Sequence, residues 1–219
     1  MEIFFVFIHE NLLLKANNMR SLVLLLFLSF FFASTYGQDD LLKDVMKTQD
    51  STVELLPKKM ILTQRIFWGE HGLMRPILPL TQAKREKELK LRRGMLIAHQ
   101  ILGFATLGTM IGQGIVGSKL YNATGQNYRN LKDIHEGLAT TVNITYSTTA
   151  FMSLFAPPPL INRDKKLSSI RLHKWLAIVH MSGMIATNLL AESGNRRLHR
   201  AAAYTTFASF GAAVIAIKF

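Results

Sequence analysis

The chain has 219 residues, is 49% hydrophobic and carries a formal net charge of +12. That length suits one domain. The absence of cysteine excludes thiolate-held iron–sulfur clusters, covalently attached c-type haem, cysteine nucleophiles, disulfides and lipid attachment at a cysteine. Histidine and methionine remain as soft or borderline metal ligands. So large a positive charge would point to nucleic acid in a soluble protein. Here the basic residues flank apolar runs, which reads as membrane-edge charge, so the expected partner is a lipid bilayer and not nucleic acid.

Residues 1–18 match nothing downstream and read as an upstream extension. From Met19 the pattern is Met19-Arg20, an almost wholly apolar stretch over 21–32, then Ala33-Ser34-Thr35-Tyr36-Gly37. That is a charged start, an apolar centre and a small-residue end, the pattern of a secretory signal peptide cleaved after Gly37; the alternative is an uncleaved anchor helix. Residues 38–93 read as an extramembrane or interfacial N-terminal region. Its first part, 39–57, is polar with a weak helical period at Leu41, Leu42, Val45 and Met46. Over 58–80 the apolar residues Ile61, Ile66, Phe67, Trp68 and Ile77 are interrupted by Arg65, Glu70, His71 and Arg75. That is too charged to span and predicts a short helical segment at the interface, or one capping the mouth of a bundle. Thr81 is the expected N-cap of a charged helix over 82–93 that runs on into the first apolar run.

Residues 94–219 hold four apolar runs, 94–117, 134–156, 175–191 and 201–217, and Pro157-Pro158-Pro159 closes the second. Each run approaches the roughly 20 residues needed to cross the hydrocarbon of a bilayer. Short links make consecutive helices antiparallel neighbours. The expected fold is an all-α integral membrane protein, an up-down four-helix transmembrane bundle. The runs are rich in small and polar residues: Gln100, Gln113 and the Gly108/Gly112 pair in the first, Thr141, Asn143, Thr145, Thr148 and Thr149 in the second. Such residues serve close helix packing, or leave room for a flat cofactor.

Each run also carries a histidine, and an ionisable group inside a span is costly without a partner. His99 lies six residues past Arg93 in the first run, and His180 six residues past Lys174 in the third. Runs one and three point the same way, so these two match in depth. His135 and His199 open the second and fourth runs and match at the opposite face. In a square up-down bundle both pairs are diagonal, as two imidazoles on either side of one haem require, and the two levels would lie on the order of 20 Å apart. His173, seven residues before His180 and on roughly the same face, is the alternative ligand, ranked behind His180 on depth. Inward from the histidines lie Gly103, Thr106 and Met110; Gly183, Met184 and Thr187; and Ala203, Thr206 and Phe210.

This arrangement of His99, His135, His180 or His173, and His199 on glycine-rich spans over about 92–218 resembles the cytochrome b561 family. The resemblance implies a four-helix core with one histidine per helix, paired first with third and second with fourth, holding one or two haem b groups. It implies axial-ligand roles for these histidines and electron transfer across or at the bilayer, as an oxidoreductase if the chain is an enzyme. The donor would be a quinol or small reductant, and the acceptor a ferric chelate or redox protein. Arg93, Lys174, Arg197 and Arg200 stand where propionates would need cations. Two other readings stay open: a cofactor-free membrane scaffold or assembly protein, and a copper-handling protein using His180, Met181 and Met184 with Met110 and Met152. No Ser/His/Asp set or carboxylate pair points to hydrolysis. The expected location is the inner (plasma) membrane, multi-pass. The signal peptide, which commits the first run, places the expected N-terminal region outside the cytoplasm, although the cations at Lys84, Arg85, Lys87, Lys90, Arg92 and Arg93 argue the reverse.

Overall fold

A computed structural model of the chain describes residues 55–160 and 169–218. The chain divides into two units, Met1–Val53 and Glu54–Phe219. All the described residues belong to the second. The expected upstream extension, the signal peptide and the helical period at Leu41–Met46 lie outside the described residues. So do Arg163, Lys165 and Lys166, between the second and third apolar runs.

Among the described residues the fold is all-α, with five helices and no strand. They are α1 (Leu62–Trp68), α2 (Gln82–Tyr121), α3 (Gly125–Leu154), α4 (Ser169–Glu192) and α5 (Arg196–Lys218). Thr81 caps α2 by accepting a hydrogen bond from the Lys84 backbone N–H at 3.3 Å. From there α2 runs unbroken for 40 residues. Asn195 caps α5 through its side-chain oxygen, which takes the Leu198 N–H at 3.1 Å. The turns between helices are tight and rest on Gly125 (φ +58°) and Gly194 (φ +72°), a backbone region that glycine enters without strain.

Every helix outruns its apolar run. α3 starts at Gly125 and not near 134, α4 at Ser169 and not at 175, α5 at Arg196 and not at 201. The reason is that hydropathy reports only the part of a helix that suits hydrocarbon, while hydrogen bonding continues into the polar ends. Two of the described helices, α2 and α5 over Arg196–Ile217, are long and apolar enough to cross a membrane. α3 is diluted by threonines. Their hydroxyls turn back on their own helix: Thr140 to Glu136 O at 3.0 Å, Thr141 to Gly137 O at 3.0 Å, Thr145 to Thr141 O at 2.9 Å and Thr148 to Ile144 O at 2.8 Å. They therefore satisfy themselves instead of bonding to a neighbouring helix.

α2 pairs antiparallel with α3, and α4 with α5. The centre is a cluster of Met110 (α2), Val142 and Tyr146 (α3) and Phe210 (α5), with Met181 and Met184 of α4 packed against it. The other buried side chains there are notably polar: Thr106, Thr149, His180, Thr206 and Ser209. The outer faces are the reverse, with Ile97, Ile101, Ile111, Ile115, Ile144, Trp175, Ile178, Ile185 and Ile215 exposed. Gly108 and Gly112 have open space where a side chain would begin, so the close approach expected of that pair is not made there. It is made at Gly183, where an added Cβ would collide with Thr206 of α5.

At one end α1 and the start of α2 close over the end of α3. A helix C-terminus leaves carbonyls without intrahelical donors, and the three prolines that follow supply no N–H. The donors come from elsewhere. Thr63 Oγ1 donates to Leu154 O at 2.6 Å, Trp68 Nε1 to Phe155 O at 2.9 Å and Gln64 Nε2 to Ala156 O at 3.2 Å. Arg92 donates to Pro157 O at 2.6 Å, and Arg85 to Pro158 O at 2.6 Å. Glu88, fully buried, holds Arg85 at 2.6 Å and Arg75 at 2.5 Å. The segment expected to cap a bundle mouth does lie over a helix end, through its polar groups.

Replacing Glu88 with alanine leaves two guanidinium groups buried without their carboxylate. Breaking a buried pair costs about 3–5 kcal/mol, so Glu88→Ala should lower the Tm of the detergent-purified chain, followed by its helical circular dichroism. Lys90→Ala, at a side chain 70% exposed, should leave it unchanged.

Candidate functional site

Histidines on facing hairpins meet at two levels. His99 of α2 faces His173 of α4, with ring centroids 6.1 Å apart and planes at 82°. His135 of α3 faces His199 of α5, with centroids 6.4 Å apart and planes at 75°. Ala213, whose carbonyl bonds His173, and His199 are fourteen residues apart on α5. At about 1.5 Å of rise per residue the two levels are roughly 20 Å apart along the helices.

Each ring is also tied to the helix beside it in its own hairpin. His99 Nδ1 lies 2.8 Å from Thr149 O, His173 Nδ1 2.9 Å from Ala213 O, and His199 Nδ1 2.9 Å from Thr187 O. A carbonyl only accepts, so in all three rings Nδ1 carries the hydrogen and donates it. The lone pair is then on Nε2, the tautomer that ligates a metal while its other nitrogen is held by a second partner. His135 differs. Its Nε2 is 3.2 Å from Gln113 Nε2, and α2 comes so close that a Cβ on Gly117 would stand 3.0 Å from His135 Cε1.

The separations fit one metal ion between each pair. An imidazole–metal bond is about 2 Å, and the ring centre lies about 1 Å behind its nitrogen, so two imidazoles sharing one metal ion would have their centroids no more than roughly 6 Å apart. Among the described residues no three histidines, aspartates or glutamates gather as a metal site. A pair of imidazoles suits a metal whose remaining ligands come from a macrocycle, as in haem, better than a bare ion wanting four protein ligands.

His180 is elsewhere. It is 8% exposed, its Nδ1 is 2.7 Å from the Tyr146 hydroxyl, and the Phe210 ring stands 5.1 Å away. The structure thus sets His173, and not His180, opposite His99. The depth argument for His180 counted from Arg93 and Lys174 as if they marked one membrane edge. Arg92 beside Arg93 is turned back onto Pro157, and the chain is already helical at Ser169, four residues before His173. The seven-residue spacing kept both histidines on one face, and the register of α4 chose between them.

Among the candidate cations, Arg200 packs over the rings of Tyr121 at 4.9 Å and Tyr204 at 5.5 Å, next to His199 in sequence. Lys174 and Arg197 are exposed. Met110, Met181 and Met184 belong to the central apolar packing, the usual work of a flexible thioether. A groove of 340 Å³ between α3 and α4 is lined by Asn143, Tyr146 and Asn188 among others, and none of the five histidines lines it. Gln113, Gly117 and Tyr146 were not singled out as neighbours of the histidines by sequence. Gln113 is the legible one, since an amide in an apolar run needs a partner. Comparison with protein-family models, with curated proteins and with solved structures finds no match.

The contact of Gly183 with Thr206 sets the spacing of α4 and α5, and so the bond from His199 to Thr187. Gly183→Ala overpacks it and should cost about 1–3 kcal/mol, seen as a lower Tm. Adding Thr206→Ala should recover most of the loss, because the hydroxyl that collides with the new methyl is then gone.

Proposed function

We propose that this chain is a membrane b-type cytochrome of b561-like architecture. In this reading α2 to α5 form an up-down four-helix transmembrane bundle in the inner (plasma) membrane, and the chain moves electrons between sites near its two faces. The observation that carries it is the two histidine pairs at 6.1 and 6.4 Å, with three of the four rings held through Nδ1 by a backbone carbonyl. The membrane part is supported by a polar interior beneath isoleucine-rich outer faces, the inverse of a soluble bundle. It is supported further by two helices long and apolar enough to span.

Haem b, when bound, supplies a one-electron couple at each site. The chain's own part would be to hold it through His99 and His173 at one level and through His135 and His199 at the other. Thr149, Ala213 and Thr187 keep Nε2 as the free lone pair by accepting from Nδ1. The apolar packing around Met110, Val142, Tyr146 and Phe210 keeps water from the space between the levels. The donor is a quinol or small reductant, and the acceptor a ferric chelate or redox protein.

A reduced-minus-oxidised optical spectrum of the detergent-purified chain, with haem counted per polypeptide, tests this. The expected result is a bis-imidazole b-type spectrum with about two haems per chain. Absence of a Soret band after expression with ample haem supply would sink the reading. His99→Leu and His173→Leu should each remove about half the haem, and His180→Leu should retain both. Loss at His180 with retention at His173 would reverse the assignment of the first pair.

A further inference from the structure

The four rings are not held alike. Three give Nδ1–H to a main-chain carbonyl of the adjacent helix, which no substitution can remove. His135 has a side chain in that place. Gln113 approaches it at 3.2 Å, nitrogen to nitrogen, while Gln113 Oε1 and His135 Nδ1 are both buried and without a hydrogen-bond partner. A buried unmet polar atom costs about 1–3 kcal/mol, and here there is one on each side of a single contact. Amide oxygen and nitrogen exchange places on a half-turn of the side chain, and so do the ring atoms of an imidazole. One such adjustment gives the amide oxygen a ring N–H to accept and leaves the other ring nitrogen its lone pair. Gly117, one turn further along α2, lets the ring lie against the helix in reach of that amide.

We infer that Gln113 is the positioning residue of His135. Its carbonyl oxygen accepts the Nε2–H and leaves the lone pair on Nδ1, the nitrogen without a partner, whereas the main-chain carbonyls hold His99, His173 and His199 through Nδ1 and leave theirs on Nε2. The inference rests on the haem reading above and adds an asymmetry to it. Of the two sites, only the one at His135 and His199 has an orienting acceptor that a single substitution can change. A stronger acceptor makes the imidazole a better donor to the oxidised metal and lowers the potential of that site alone.

The test is a redox titration and a haem count on the full chain in detergent, with His199→Leu marking which signal belongs to the second site. Gln113→Leu should weaken haem retention at that site about 10–100-fold while the His99/His173 site keeps its haem, potential and low-spin ferric resonance signal. Gln113→Glu should restore occupancy and shift the midpoint of that one haem downward. Two haems with unchanged potentials in both variants would overturn the role of Gln113 and leave the cytochrome reading standing. A wild-type chain without haem overturns both. If Gln113→Leu does not accumulate, Gln113→Glu decides alone: one midpoint moved supports the role, and none moved ends it.

Discussion

The bond from an imidazole Nδ1 to a carbonyl on the neighbouring helix is the contact on which the helix registers depend. Each hairpin is stitched near both ends. α2 and α3 are joined by His99 to Thr149 and by Gln113 to His135; α4 and α5 are joined by His173 to Ala213 and by His199 to Thr187. A one-residue slip of either hairpin would rotate a helix by about 100° and break both stitches at once. The stitches therefore do two things. They fix the sliding of one helix on its partner, and they aim the rings across to the other hairpin. Side-chain hydroxyls do little of this work, because most of those on α3 are spent on their own helix.

The polar interior follows from the same constraint. Rings that face one another across the middle need small neighbours, and the chain places Gly103, Thr106 and Thr149 near one pair and Gly183 and Thr206 between α4 and α5. Apolar bulk then has to go elsewhere: into the central cluster of Met110, Val142, Tyr146 and Phe210, and onto the outer faces. In water those outer faces would be a liability for aggregation. In the membrane placement proposed above they would be the solvated surface, no hydrophobic force would drive the hairpins together, and hydrogen bonds and close glycine contacts would hold the helices.

Much of this was legible in the sequence. The helices, the Thr81 cap and the buried faces starting at Gly103, Thr106 and Met110 and at Thr206 and Phe210 followed from periodicity and capping chemistry. Which histidines could face one another was narrowed to five. The choice of His173 over His180 was not legible. Two residues seven apart share a helix face, and only their contacts separate them: His173 meets the Ala213 carbonyl and the His99 ring, His180 the Tyr146 hydroxyl. The buried ion group inside that cap was not legible. Arg75 read as an interruption of an interfacial segment and Arg85 as one of a row of edge cations, because hydropathy does not distinguish a charge facing headgroups from one satisfied inside the fold. The signal was present in Pro157-Pro158-Pro159: a run of carbonyls with no N–H groups at a helix end demands donors from elsewhere in the chain.

That cap and the first histidine pair share α3. Thr149, which orients His99, lies five residues before Leu154, whose carbonyl is held by Thr63, and eight before Pro157, held by Arg92. Arg92 in turn is seven residues before His99 on α2, two turns away on the same face. The two helices are thus pinned twice within about two turns, once by a guanidinium outside the site and once by the imidazole inside it. At the other end Arg196 of α5 reaches across to Tyr128 of α3, 3.4 Å from its hydroxyl and 5.6 Å from its ring centre. At that end the tight turn at 122–124, the stacking of Arg200 on Tyr121 and the Gln113 amide perform the task. The adjustable acceptor therefore falls at the level whose end is closed by a tight turn and by arginine–tyrosine contacts, away from the buried guanidinium cap.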